Sequence, residues 1–217
     1  MSEPASSRVT MRRGSDRAVY ETEAMRAVLD AALIAHVGVI SDDGPIVLPM
    51  AFGRTDDELF LHGAAANAML RAGAAMQICV TVTIVDGLVV ARTPFHNSMN
   101  YRSVVVRGEA IKVEGDDEKR ACLKIINDHV VKMWDTARPP SDIDLKKTLV
   151  LRLSLAEMSA KIRDGDPIDE DQDLEGPHWS GIVPLNTTWG EPYAAADLRA
   201  GVDAPKAITD MAGKDAK

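Results

Sequence analysis

Between Met76 and Ile84 apolar and polar residues alternate without a break. Met76, Ile78, Val80, Val82 and Ile84 share one side, with Gln77, Cys79, Thr81 and Thr83 opposite. A period of two is the mark of a strand with one buried face. Shorter β-type runs occupy His36–Ile40 (HVGVI) and Pro45–Gly53 (PIVLPMAFG), joined by Asp42-Asp43-Gly44, a sequence suited to a tight turn. Thr55-Asp56-Asp57 reads as a second turn before ELFLHG, and Asp86-Gly87 as a hairpin turn into LVVAR. Leu149, Leu151, Leu153 and Leu155 alternate again. From Tyr101 to Val113 the apolar parity changes, with Val104 and Val106 even and Ile111 and Val113 odd, which predicts a bulge at Gly108.

Two segments follow the helical period instead. Met25, Val28, Leu29 and Ala32 fall on one face and predict a helix over Thr22–Ala32. Asp116, Asp117 and Glu118 open a second helix, their charges favourable at its positive end. Its apolar stripe is Cys122, Ile125, Ile126, His129, Val130 and Met133, and Pro139-Pro140 ends the segment. The acidic stretch Asp164–Glu175 reads as a solvated loop and HWSGIVPL as a last ordered piece. These elements predict a mainly β chain with flanking helices, a closed or split antiparallel barrel. A sandwich would show a similar pattern. Residues 1–15 read as a flexible segment, 16–199 as the folded domain and 200–217 as a loose tail.

Composition narrows the function classes. The chain has 217 residues, 46% apolar and 27% charged, with a formal net charge of −8. That is ordinary for one globular domain. The negative charge argues against general nucleic-acid binding, which needs a basic surface. No apolar run is long enough to span a bilayer. Two distant cysteines, Cys79 and Cys122, give no disulfide framework or paired-cysteine redox motif, so a reducing cytoplasm is the expected location. The five histidines lack metal-ligand spacing, and no serine-hydrolase elbow, phosphate-binding P-loop or dinucleotide glycine fingerprint occurs.

What chemistry remains lies in two places. LHGAAANAMLRAG (Leu61–Gly73) runs from a strand end into a short helix whose free N–H groups could face an anion; an ordinary surface helix gives the same pattern. His62 at that strand end could hydrogen-bond a ligand or simply be structural. DGLVVARTPFHNSMNYRSVVVR (Asp86–Arg107) crowds His96, Asn97, Ser98, Asn100, Tyr101, Arg102 and Ser103 into one segment. Alternation places Asn100 and Arg102 on one face and Tyr101 and Ser103 on the other. Arg102, a permanent multi-donor fork, is the natural phosphate partner, with a surface ion pair as the bland reading. Trp179 and Trp189 fit either simple packing or a place near a flat ligand.

Taken in order, the RR pair at Arg12-Arg13, the helix, HVGVISDDGPIVLP, LHG, VTVTIVDGLVVARTPFHNSMNYRSVVVRG, WSGIVPL and TWGEP resemble the pyridoxamine 5′-phosphate oxidase-like family of FMN-binding split barrels. The likeness is greatest to its flavin-nucleotide-binding members, related to nitroimidazole-resistance proteins. The resemblance implies a six-stranded antiparallel split β-barrel, a homodimer, and FMN in a groove between subunits. It implies cofactor contacts from Leu48, Pro49, Met50, His62, Gly63, Asn67, Ser98, Asn100, Tyr101, Arg102, Ser103 and Trp179. The expected activity is flavin-dependent oxidoreduction of a small organic substrate. The alternative is a non-catalytic binding protein for flavin, deazaflavin or haem, with His62 or His96 as haem ligand. Two departures stand out. Relatives often carry hydroxyl residues and Ser-Arg where this chain has Ala64, Ala65, Ala66, Asn67 and Ala68, and Arg71, one helical turn beyond Asn67, could substitute only partly; if Arg102 does not hold the phosphate, the grip falls to Arg71 or the Arg12–Arg17 cluster. The Arg-rich substrate motif that closes true oxidases is missing.

Overall fold

Residues 3–67, 70 and 75–216 are described by the structure, a computed structural model. Their order is β1 (Ala18–Val19), α1 (Thr22–Ala31), β2 (Ala35–Ser41), β3 (Gly44–Met50), β4 (Phe52–Arg54), β5 (Glu58–Ala64), β6 (Gln77–Val90), β7 (Ser98–Lys112), α2 (Asp116–Val130), α3 (Asp142–Lys146), β8 (Thr148–Ser154), β9 (Met158–Arg163), β10 (Gly181–Pro184) and α4 (Lys206–Thr209). The ten strands form one antiparallel network whose main path is β3-β2-β6-β7-β8-β5-β4. The fold is thus mainly β with flanking helices, as expected, built from more strands than the six anticipated. Ala68 and Arg71 of the expected anion-binding helix lie outside the described residues.

Two long strands organise everything else. β6 holds β7 along one edge; its other edge is shared by β2, opposite Cys79–Thr81, and β10, opposite Gly87–Val90. β7 likewise passes from β9, opposite Tyr101–Val106, to β8, opposite Ala110–Lys112. Gly108 sits at that handover, where a Cβ would meet Leu153 Cδ1 at 2.9 Å. It is not a bulge. Val104, Val106 and Ala110 are all buried, so the inward parity stays even, and Ile111 is exposed. The register shift falls between Val85 and Gly87, at the dipeptide read as a hairpin turn. The strand runs straight through because Asp86 leaves the ladder to pair with Arg102, while Gly87 lets β10 approach; a Cβ there would meet Val183 O at 2.9 Å.

The main core joins Leu29 of α1, Phe52, Leu59, Leu61, Val80, Val82, Val104, Val106, Leu151 and Leu153. A second cluster, Phe60, Val113, Cys122, Ile126 and Val150, sits under α2. β5 and β8 therefore bury both faces, which is why Leu59–Leu61 and Leu149–Leu151 are continuously apolar. α2 lies so close to β4 that a Cβ on Gly53 would meet Ile125 O at 2.7 Å. His129 fixes its far end: Nε2 is 2.7 Å from Ala32 O, and the ring lies 4.5 Å from that of Phe52.

The acidic loop is anchored rather than solvated at one point. The Asp169 carboxylate, almost fully enclosed, accepts from Arg92 N and Nη1 at 2.7 Å each and from Ser180 Oγ at 3.0 Å. Nor does the end of the chain drift free. Trp189 N donates to Lys214 O, Gly213 N to Trp189 O and Ala216 N to Thr187 O, so part of the segment expected to be a loose tail is tied back.

Candidate functional site

Three adjoining cavities form a trough along one side of the barrel. The first, about 470 Å3, lies between the sheet, α2 and α3 and is lined by Ala51, His62, Leu123, Ile126, Asn127, Val130, Val131, Trp134, Ala137, Arg138, Pro140 and Asp144. The second, about 380 Å3, is bounded by Leu33, Ile34, Pro49, Met50, Ala51, Val130 and Trp189. The third, about 520 Å3, is mixed: His36, Thr83, Asp86 and Arg102 stand on its walls beside apolar residues such as Leu33, Ile34 and Ile84, with Asn186, Thr187 and Asp215 from the C-terminal segment. Ala51 and Val130 are common to the first two, and Leu33, Ile34 and Pro49 to the last two. The trough thus grades from an imidazole in apolar surroundings to a guanidinium among polar groups.

His62 reaches the first cavity because β5 alternates: Leu61 faces the core while His62 faces α2. Its Nδ1 is buried without a hydrogen-bond partner among the described residues. Burial lowers its pKa below 6.5 and keeps the ring neutral. Arg138, largely exposed, stands at the rim, 3.5 Å from Asp144. Asp144 is itself held below the usual carboxylate range by hydrogen bonds from Ser141 N and then Oγ. A neutral imidazole over an apolar slot with a cation at its mouth suits a flat, apolar, metal-bearing ring with acidic edges.

At the other end Arg102 donates through Nε and Nη2 to both Asp86 oxygens, at 2.9 and 2.7 Å, leaving Nη1 for the cavity. This hydrogen-bonded pairing raises its pKa still further. Arg102 can therefore offer an anion part of its fork, not all of it.

The sequence candidates divide. Pro49, Met50 and Arg102 line the trough, and His62 lines its far chamber. Leu48 is partly exposed on β3 opposite Val37. Gly63 packs on Leu70, and Asn67 Oδ1 accepts from Leu70 N at 3.3 Å. Ser98 pairs with Val89 and Tyr101 with Val85. Asn100 is buried, its Oδ1 taken by Arg163 Nη1 and by Gly165 N at 3.3 Å. Ser103 Oγ donates to Val82 O at 2.9 Å. Trp179 is exposed and lies against Gly181, outside the three cavities. His96 is 3.4 Å from Glu170 and lines none of them either. Trp189, left undecided by the sequence, lines the apolar chamber, and Trp134, which the sequence did not single out, lines the His62 chamber. Ala51, Val130 and Asp86 carried no sequence signal of a site, being ordinary strand, helix and turn residues by pattern.

The family model of pyridoxamine 5′-phosphate oxidase matches residues 21–162. The chain belongs to the pyridoxamine 5′-phosphate oxidase-like family. Its structure is similar to the flavocytochrome Anf3 from Azotobacter vinelandii, with 32% identity and a TM-score of 0.92 over 97% of this chain and 99% of that one. It is also similar to the FAD and heme binding protein from Mycobacterium smegmatis, at 34% identity and a TM-score of 0.87, covering 93% and 99%. A protein named for 5-nitroimidazole antibiotic resistance from Bacteroides thetaiotaomicron shares 26% identity and a TM-score of 0.56, covering 67% and 86%. None of the curated proteins matches. No helix among the described residues is long and apolar enough to cross a membrane.

Proposed function

We propose that this chain is a flavin- and haem-binding oxidoreductase, acting as a homodimer in the cytoplasm. The observation that carries the reading is the trough itself. An imidazole whose buried Nδ1 has no partner among the described residues lies at one end, and a chamber of mixed lining with Arg102 at the other, separated by an apolar chamber that shares walls with both. Similarity along nearly the whole chain to a flavocytochrome and to an FAD and heme binding protein supports the same pairing. His62 would ligate the haem iron, with Arg138 placed for a propionate. Pro49, Met50 and Trp189 would flank the flavin ring, and Arg102 Nη1 would meet a phosphate. When bound, the flavin supplies hydride and one-electron chemistry and the haem one-electron chemistry. The residues named bind, orient and shield.

FMN is what the family resemblance implies; FAD is what the similar FAD and heme binding protein suggests. Purified protein should show flavin bands together with a Soret band, and chromatography of the released flavin identifies which nucleotide is present. His62→Ala should lose the Soret band and keep the flavin bands. A protein with no flavin after saturation with FMN or FAD overturns the reading. Steady turnover of NADH or NADPH with a small organic acceptor, or its absence, decides between an enzyme and a cofactor-binding protein.

A further inference from the structure

From Gly190 to Ala207 every residue is exposed, Tyr193 at 94% and Leu198 and Val202 at 45% and 43%. Yet both ends of this excursion are fixed beside the trough by the backbone bonds of Thr187–Trp189 to Gly213–Ala216. Among the described residues its other hydrogen bonds are local, such as Leu198 N to Ala195 O and Lys206 Nζ to Asp210. A held path whose residues all stay exposed leaves much of its ordering entropy without compensating burial.

The body carries a seat of matching chemistry. On the outer face of the sheet Val47, Gly38, Cys79 and Arg107 stand directly opposite one another on four adjacent strands. Gly38 has no side chain, so the row is notched into an apolar slot of about 310 Å3 between Ile40, Val47 and Cys79, with Arg8 and Arg107 at its ends. Ile40 and Val47 are more than 60% exposed, unusual for strand interiors in a monomer. Arg107 makes no ion pair among the described residues, and neither does Glu191, two residues before Tyr193.

We infer that the excursion is an arm for a second copy of this chain: Tyr193 of one copy enters the slot over Gly38 of the other, with Glu191 meeting Arg107. The two-fold relation makes the contact twice and sets each arm's base beside its own trough. The inference rests on the homodimer reading but not on the cofactors.

The test is sedimentation equilibrium of the full chain and four variants, with circular dichroism and Tm as the folding check. Tyr193→Ala removes a side chain that touches nothing in its own copy. Gly38→Val fills the slot; its Cβ would meet only ordinary contacts, Cys79 O at 3.5 Å and Val47 Cγ2 at 3.7 Å, and valine suits a strand. Each should loosen the dimer about tenfold to hundredfold with an unchanged fold. Arg107→Glu should loosen it too, and adding Glu191→Arg should recover most of the loss. A dimer unaffected by Tyr193→Ala and Gly38→Val would overturn the arm and leave the dimer standing. A full chain that stays monomeric at micromolar concentration would overturn both.

Discussion

At the scale of single residues, His62 and Arg102 are the positions on which the proposed function turns. Burial holds folded His62 below its free value of 6.5. In the window between its folded pKa and 6.5 the unfolded chain binds more protons, so stability rises with pH and drains away on acidification. Above that window both states are neutral and His62 adds no pH dependence. His62→Phe should therefore flatten the stability profile of the cofactor-free protein on the acid side of 6.5, read by urea unfolding at several pH values. Equal slopes in the two proteins would show that the ring is not desolvated. For Arg102, loss of one charge-assisted bond typically costs about 1.5–3 kcal/mol, a tenfold to hundredfold change in affinity. Arg102→Ala also strands the Asp86 carboxylate in the trough, so FMN or FAD should weaken far more than riboflavin, which has no phosphate. Equal weakening in titration calorimetry would mean that the Asp86 pair simply braces β6 against β7. The sequence could point to Arg102 as a cation in a polar patch but could not show Asp86 as its partner. Asp86 lies sixteen residues earlier, in an Asp-Gly pair that looks like a turn. Asn100 misled for the converse reason. It has ligand-like chemistry, but its oxygen is committed to Arg163 within the fold.

At the scale of elements, amphipathic segments were legible and shared ones were not. α1 spans Thr22–Ala31, almost the range its periodicity predicts, because one face meets the core and the other water. β5 and β8 defeat the alternation rule since α2 covers their outer face, and β9 is hidden in a stretch of mixed polarity whose partners are distant in sequence. The contact that seats α2 is Gly53. A methyl group there would lie 2.7 Å from Ile125 O and 2.8 Å from Ile126 Cα, both backbone atoms of a helix that can only move as a unit. Gly53→Ala should destabilise the fold by about 1–3 kcal/mol. Because α2 also lines the His62 cavity, it should weaken haem binding while leaving riboflavin binding nearly intact. Thermal melts and Soret titration check both effects; an unchanged melt would show that α2 has room to shift.

At the scale of the whole molecule, the barrel places two chemically unlike chambers at the ends of a trough, with an apolar chamber between them. The order of landmarks along the chain could announce the family and its flavin. The continuity of the trough could not be read, since Ala51 comes from the β3–β4 link, Val130 from the end of α2 and Trp189 from beyond β10. In the proposed function the walls shared through that chamber link the two sites thermodynamically. If flavin alters haem affinity by some factor, haem must alter flavin affinity by the same factor. Apoprotein titrated with haem in the presence and absence of saturating flavin, and the reverse, should give equal ratios that differ from one. Ala51→Leu thickens the shared wall away from Arg102; because Ala51 lines the same cavity as His62, haem binding in the absence of flavin is its control. The substitution should bring both ratios toward one while each cofactor still binds alone. Ratios of one in the wild-type protein, with both cofactors bound, would mean that the chambers act independently despite their common walls. The function of the trough would then reduce to two separate binding sites on one barrel.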